Sequence, residues 1–202
     1  MGKIYDRLVR KNTTIDPTTL AWHYTIAPHA VSIADEGVIR LATAGLEETR
    51  KLTGSKEKPV TWFSTQPIWE KSASKVNHGC FSLSDHIVVF GSVWRLGVPI
   101  SKLLPWHDLC VAAGINSLSQ KILLMGGEYD PSFWYGTLEP VAVDQCVVHC
   151  WSRGESGWRG GSLKDAEQYA HDHIDWLKSN PKEKEAQLSL VKKNLRRLAD
   201  EG

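Results

Sequence analysis

The sequence predicts a single α+β domain, and three observations carry that prediction. Two short runs rich in β-branched and aromatic residues, Leu20-Ala21-Trp22-His23-Tyr24-Thr25 and Pro59-Val60-Thr61-Trp62-Phe63-Ser64-Thr65, have strand character. Each is followed by a helix signal opened by a proline, Pro28 after the first and Pro67 after the second. The C-terminal stretch is helical throughout, with apolar positions recurring every three to four residues. A chain of 202 residues, 42% hydrophobic and 23% charged, is long enough to bury a core and too apolar for disorder, so 1–202 is taken as one domain.

Residues 1–19 are polar and basic (Lys3, Arg7, Arg10, Lys11) and read as a surface arm or helix. In the first strand, period-two alternation puts Ala21, His23 and Thr25 on one face and Leu20, Trp22 and Tyr24 on the other. The helix after it carries Ala30, Ile33 and Ala34, and Gly37 stops it. Residues 40–58, with Gly45, Gly54, Arg50, Lys51, Lys56 and Lys58, read as a charged surface loop with some helix. In the second strand Val60, Trp62 and Ser64 share a face. The helix expected after Pro67 has the stripe Trp69, Ala73, Val76 and leaves Glu70, Lys71 and Lys75 off it.

Residues 86–98 read as one bent strand or two, with Gly91 at a bulge and Arg95 inside the run. A helix is expected over about 118–125, ended by Gly126-Gly127, and residues 152–157 form a turn-rich hairpin before Trp158. Ser162-Leu163-Lys164-Asp165 is a capping box for a helix with Ala166, Tyr169, Ala170, Ile174 and Leu177 inward. The last helix starts near Pro181 with the stripe Leu188, Val191, Leu195, Leu198, and the basic residues Lys192, Lys193, Arg196 and Arg197 beside it read as a solvated face.

Twenty-four Lys and Arg against 23 Asp and Glu give a net charge of +1, so no global basic field announces nucleic acid. Four cysteines form no C-x-x-C pair, and neither a signal peptide nor an apolar membrane span is visible, which points to a reducing cytosol and no membrane partner. Cys146, His149 and Cys150 fit no standard ligand spacing, and a strand turns His149 away from both thiols, so no metal is expected. Nine Trp suggest aromatic walls around a cleft. In 134–151, which also holds Asp144, the carboxylate of Glu139 stands among apolar and small neighbours ahead of a β-rich run. Acids are depleted in strands and rarely buried alone, so Glu139 is either a strand-edge residue or faces a cleft.

In order, the chain offers a strand with His23-Tyr24-Thr25, a helix ending at Gly37-Val38-Ile39, a strand with Trp62-Phe63-Ser64, another helix, and a late strand entered by Glu139. This set resembles the ADP-ribosyltransferase superfamily and, within it, the DarT-like enzymes that modify DNA. His23 and Thr25 match the family's His-x-Thr element. Its Glu-x-x-Val run is read in Glu139-Pro140-Val141-Ala142-Val143, followed by Val147-Val148. The resemblance covers 20–151 in short pieces, with a hairpin and C-terminal helices over 152–202, and implies an ADP-ribosyltransferase-like split, mostly antiparallel β core flanked by helices. Two departures stand out. The family's Arg after the middle strand is absent from Thr65-Gln66-Pro67, leaving Arg50, Lys71, Lys75 or Arg95 to substitute. Ser64 matches instead the arginine-serine-glutamate branch, which has Arg where this chain has His23.

The resemblance implies NAD as substrate and no metal. Transfer from NAD breaks the nicotinamide–ribose bond and leaves an oxocarbenium-like sugar, which a nearby negative charge stabilises. Glu139 would be the catalytic carboxylate. His23, Thr25 and Ser64 would fix the dinucleotide, with Tyr24, Trp62 or Trp134 stacked on nicotinamide, and Glu70, Lys71 and Arg95 are assigned to the acceptor. That acceptor is a macromolecule, DNA or RNA ahead of protein, in a toxin, a defence component or a viral counter-measure. Two further readings stay open: a non-catalytic nucleotide- or protein-binding module of the same fold, such as an inhibitor of a host or defence system, and an NAD glycohydrolase or RNA 2′-phosphotransferase.

Overall fold

Strand β1 (Leu20–Ile26) is the axis of the sheet, because it alone pairs with both halves of it. The computed structural model describes residues 16–43, 46–74, 82–125 and 129–201, with the side chains of Pro17 and of 198–201 outside that description. On one side β1 pairs with β4 (Ser92–Pro99) along its whole length, from Leu20↔Pro99 to Ile26↔Val93, and β4 pairs onward with β8 (Val147–Ser152) and β9 (Arg159–Gly160). On the other side it meets β3 (Thr61–Ser64), which leads to β6 (Trp134–Thr137) and β5 (Leu104–Pro105). All these pairs are antiparallel. A separate two-stranded ribbon joins β2 (Val38–Ile39) to β7 (Val141–Ala142). Helices flank this mostly antiparallel core, making the fold α+β.

The alternation predicted for β1 is the alternation found. Ala21 belongs to the main core with Trp94, Leu96, Val98, Val148 and Cys150, covered by Ala27, Ala30 and Ile33 of α1 (Ala27–Glu36) and by Leu163 and Ala166. Leu20, Trp22 and Tyr24 face the other way, against Trp69, Ala73, Val147 and Trp158. A third cluster sets Val60 against Leu109, Cys110 and Ala113 of α4 (Trp106–Ala113). Each such large apolar side chain taken from water contributes roughly 1.5–3 kcal/mol. The α1 stop is also as read: Gly37 has φ 70° and its N–H reaches the Ile33 carbonyl.

Three expectations are corrected. Residues 86–98 are not all strand: α3 (Leu83–Phe90) precedes β4, and Gly91, at φ 77°, is the helix stop rather than a bulge. The reason lies just upstream, where the Ser82 hydroxyl accepts from the Asp85 N–H and the Asp85 carboxylate accepts from the Ser82 N–H, a capping box that outweighs the β-branched residues after it. No helix opens at Pro67. The segment bends as far as a single 3-10 turn at Lys71–Ala73, which the Glu70 carboxylate caps, while Trp69 and Ala73 still pack beneath β1. Lys75 and Val76 lie outside the described residues, as do 1–15, Gly45, Gly126 and Gly127.

The C-terminal stripes are the third. On α6 (Ala166–Ser179) Ile174 is exposed, and on α7 (Pro181–Glu201) Leu188 and Leu195 are exposed whereas Asn194 is buried. The helix is turned because polar groups find partners inside: the Gln187 side chain donates to the Val89 carbonyl at 2.8 Å, and His173 Nε2 lies 3.1 Å from the same oxygen. Leu198 is outside the described side chains. The predicted helix at 118–125 is α5 (Ser117–Leu124), capped by Asn116, and α2 (Leu46–Thr53) lies within the charged 40–58 region. Among the described residues no helix is long and apolar enough to cross a membrane.

Gly97 lies opposite Trp22 in the β1–β4 register, and a Cβ there would come within 2.6 Å of the indole. Gly97→Ala is therefore expected to lower stability by about 1–3 kcal/mol, read as a lower urea midpoint.

Candidate functional site

β1 and β3 share a single register pair, Trp22↔Ser64. A cleft of about 480 Å³ is lined by Trp22-His23-Tyr24 of β1 and Trp62-Phe63-Ser64 of β3, within the ~300–1,000 Å³ usual for small-molecule sites. Ala42, Glu70, Ser72, Ala73, Ile122, Leu123, Met125, Tyr129 and Trp134 complete the lining.

Its polar centre is built on Ser64 and Glu70, only 2% and 8% exposed. The Ser64 hydroxyl accepts from the Gln66 N–H at 3.1 Å and donates to Glu70 Oε2 at 2.6 Å. Glu70 Oε1 accepts from both the N–H and the hydroxyl of Ser72, each at 3.1 Å. Three donors thus compensate a carboxylate that burial alone would penalise. His23 Nδ1 lies 3.0 Å from the Trp62 carbonyl, an oxygen that only accepts, so the proton sits on Nδ1.

The walls are aromatic. Trp134 meets Trp62, Trp106 and Tyr129 with ring centroids 6.3, 5.2 and 6.0 Å apart. The indole N–H groups of Trp134 and Trp69 are buried without a hydrogen-bond partner among the described residues. An apolar slot walled by indoles, with one carboxylate and one imidazole among its described lining residues, suits a planar ring joined to a hydroxyl-bearing group.

Of the residues singled out in the sequence, the structure gathers His23, Tyr24, Trp62, Ser64, Glu70 and Trp134 around this cleft. Four others lie elsewhere. Glu139 is exposed on the turn between β6 and β7 and does not line the cleft. Its backbone is pinned there, its carbonyl accepting from the Thr61 hydroxyl and its N–H donating to Thr137 Oγ1, both at 3.2 Å. From that turn the chain leaves to pair β7 with β2, so among the described residues the carboxylate lining the cleft is Glu70 and not Glu139. Thr25 is buried away from the lining, Lys71 is exposed, and Arg95 lies buried behind Trp22. Sequence reasoning missed Ser72 and Tyr129. The signal for Ser72 was Glu70-Lys71-Ser72, an acid two residues ahead of a backbone N–H it caps.

Behind the cleft, the Arg95 guanidinium stacks on Trp22 at 3.9 Å and Trp158 at 4.6 Å. It donates to the Pro67 carbonyl and to His149 Nδ1, 2.9 Å from Nη2. No carboxylate forms an ion pair with it among the described residues. Burial lowers its pKa, and burial also pushes the Tyr24 phenol up to about 12. Because Arg95 can only donate, His149 accepts at Nδ1 and carries its proton on Nε2. Burial first, and the guanidinium second, push His149 down to about 4. Cys146 and Cys150 lie in the main core while His149 faces Arg95, and among the described residues no three His, Cys, Asp or Glu gather as a metal site requires. Compared with known proteins, the chain matches no family model, no curated protein and no solved structure.

Since His149 is harder to protonate folded than unfolded, the unfolded chain takes up the proton first as pH falls. The stability it contributes is complete above about pH 6.5 and is lost as pH drops toward about 4. The urea midpoint of the wild type is expected to fall across this window more steeply than that of His149→Gln, whose amide oxygen still accepts from Arg95.

Proposed function

We propose that the cleft binds NAD and that the protein is an NAD-dependent ADP-ribosyltransferase in which Glu70 takes the role first assigned to Glu139. The observation that carries this is the convergence of His23, Ser64 and Glu70 with Trp62, Trp134 and Tyr24 on one aromatic-walled cleft. An indole wall stacks the pyridinium ring, and the Glu70 carboxylate opposes the positive charge that develops on ribose as nicotinamide leaves. Nδ1–H of His23 is committed to Trp62, which holds the imidazole across the two strands for contact with the second ribose. Preference for a nucleic acid acceptor over protein rests on the His-x-Thr part of the likeness to DarT-like enzymes, at His23-Tyr24-Thr25, since Glu139 of its Glu-x-x-Val part lies outside the cleft. The buried thiols Cys110, Cys146 and Cys150, free of disulfides, fit a reducing cytosol. No Lys or Arg is among the described lining residues, which ranks an RNA 2′-phosphotransferase lower.

One observation favours a second reading, a binding module without catalysis. Both Glu70 oxygens already accept hydrogen bonds from Ser64 and Ser72, so the carboxylate is engaged before any ligand arrives.

The two readings separate on incubation with NAD, candidate nucleic acids and cell lysate, with nicotinamide release measured. The transferase reading expects release that falls at least about a hundredfold in Glu70→Gln, the scale of losing one electrostatic partner of the transition state. Glu139→Gln is expected to stay within about twofold, as for an exposed residue outside the cleft. Binding of intact NAD without release supports the module. Neither binding nor release in the wild type overturns both.

A further inference from the structure

We infer that Tyr24, Arg95 and Trp158 are positioning residues that together hold Glu70 in the cleft. Three consecutive backbone carbonyls precede that glutamate, and each is taken by a side chain from a different part of the chain. The Tyr24 hydroxyl of β1 donates to the Gln66 carbonyl, Arg95 Nη1 of β4 donates to that of Pro67, and Trp158 Nε1, just before β9, donates to that of Ile68 at 2.9 Å. Segment 65–70 belongs to no helix or strand, so these carbonyls lack the partners regular structure would supply. The side chains fill that need, and the segment takes its path from them. It is pinned at its start as well, where the Gln66 N–H reaches Ser64 Oγ.

The three donors form one assembly. Tyr24 and Arg95 are cross-strand partners, and His149 stands opposite Arg95 on the next strand. The Trp158 ring lies over the guanidinium and 5.9 Å from Tyr24. Burying a cation without a carboxylate is costly, and a hydrophobic residue would fill the space more cheaply. An apolar side chain, however, has nothing to donate to Pro67. The guanidinium supplies a fixed fork, one arm on the segment and another on His149, which a flexible ammonium would not reproduce.

The proposal rests on Glu70 being the working carboxylate, but its structural part is measurable without NAD. The Ser72 N–H bonds to Glu70 Oε1, so its hydrogen exchange reports where that carboxylate sits. Trp158→Phe keeps a ring over Arg95 and removes only the donor to Ile68, and Arg95→Lys keeps the charge and removes the fork. In each variant the Ser72 amide is expected to exchange about tenfold faster, the scale of one lost hydrogen bond, with the amides of β4 unchanged. Nicotinamide release in Trp158→Phe is expected to lose about tenfold in kcat with KM nearly constant, as when a group acting in the transition state is misplaced. Unchanged exchange at Ser72 overturns the proposal, and so does equal acceleration at Ser72 and throughout β4, which marks plain loss of stability. Local acceleration at Ser72 in a protein that never releases nicotinamide upholds the clamp and overturns the transferase reading alone. If Arg95→Lys fails to fold, Trp158→Phe decides.

Discussion

A guanidinium buried in the middle of a β-sheet must be fully provided for, and much of this structure is what providing for Arg95 requires. Removing an ion from water costs on the order of several kcal/mol unless acceptors replace the lost hydration. Arg95 finds them in the Pro67 carbonyl, the Nδ1 of His149 and the faces of Trp22 and Trp158. Each provision constrains something else. Trp22 lies flat enough to demand glycine at 97, His149 must stay neutral, and Trp158 must return over the sheet after the turn that follows β8.

The cleft sits on the consequence of that arrangement. β1 is zipped to β4 along its length but meets β3 at one pair, so both strands present side chains to a shared opening. Segment 66–68 is clipped to the sheet by three donors and delivers Glu70 to Ser64, while Trp134, carried on the neighbour of β3, supplies the wall. Rigid surroundings of this kind let a charged group persist in an apolar slot, because its hydrogen bonds are made in advance rather than gained on binding.

Much of the fold was legible in local pattern. The two faces of β1 and the proline-opened and glycine-closed α1 depend on neighbours within a few residues and are present. The expected capping box at Ser162, by contrast, is not formed: its hydroxyl accepts from the Lys164 N–H and caps the 3-10 turn Leu163–Asp165, and α6 begins after it at Ala166. The failures share a different cause. At 86–90 a run of β-branched residues was overruled by a cap starting at Ser82, and on α7 Gln187 turns to the Val89 carbonyl on the packed side while Leu188 and Leu195 stay exposed. The site divided the same way. His23, Tyr24, Trp62, Ser64 and Trp134 stand on the strands that pattern identified, and they reach the cleft. Glu139 looked more suggestive than Glu70 because its neighbours are apolar, yet a turn pinned by Thr61 and Thr137 sets it in solvent.

By itself, the sequence determined an α+β chain, which face each residue of β1 would take, where several helices begin and stop, and an aromatic supply large enough to wall a cleft. These follow from periodicity and capping, which act over one or two turns. Only the tertiary structure decided which carboxylate enters the cleft and what Arg95 serves. Its partners Pro67 and His149 are 28 and 54 residues away in the chain, and no local rule couples positions so distant until the strands between them have paired.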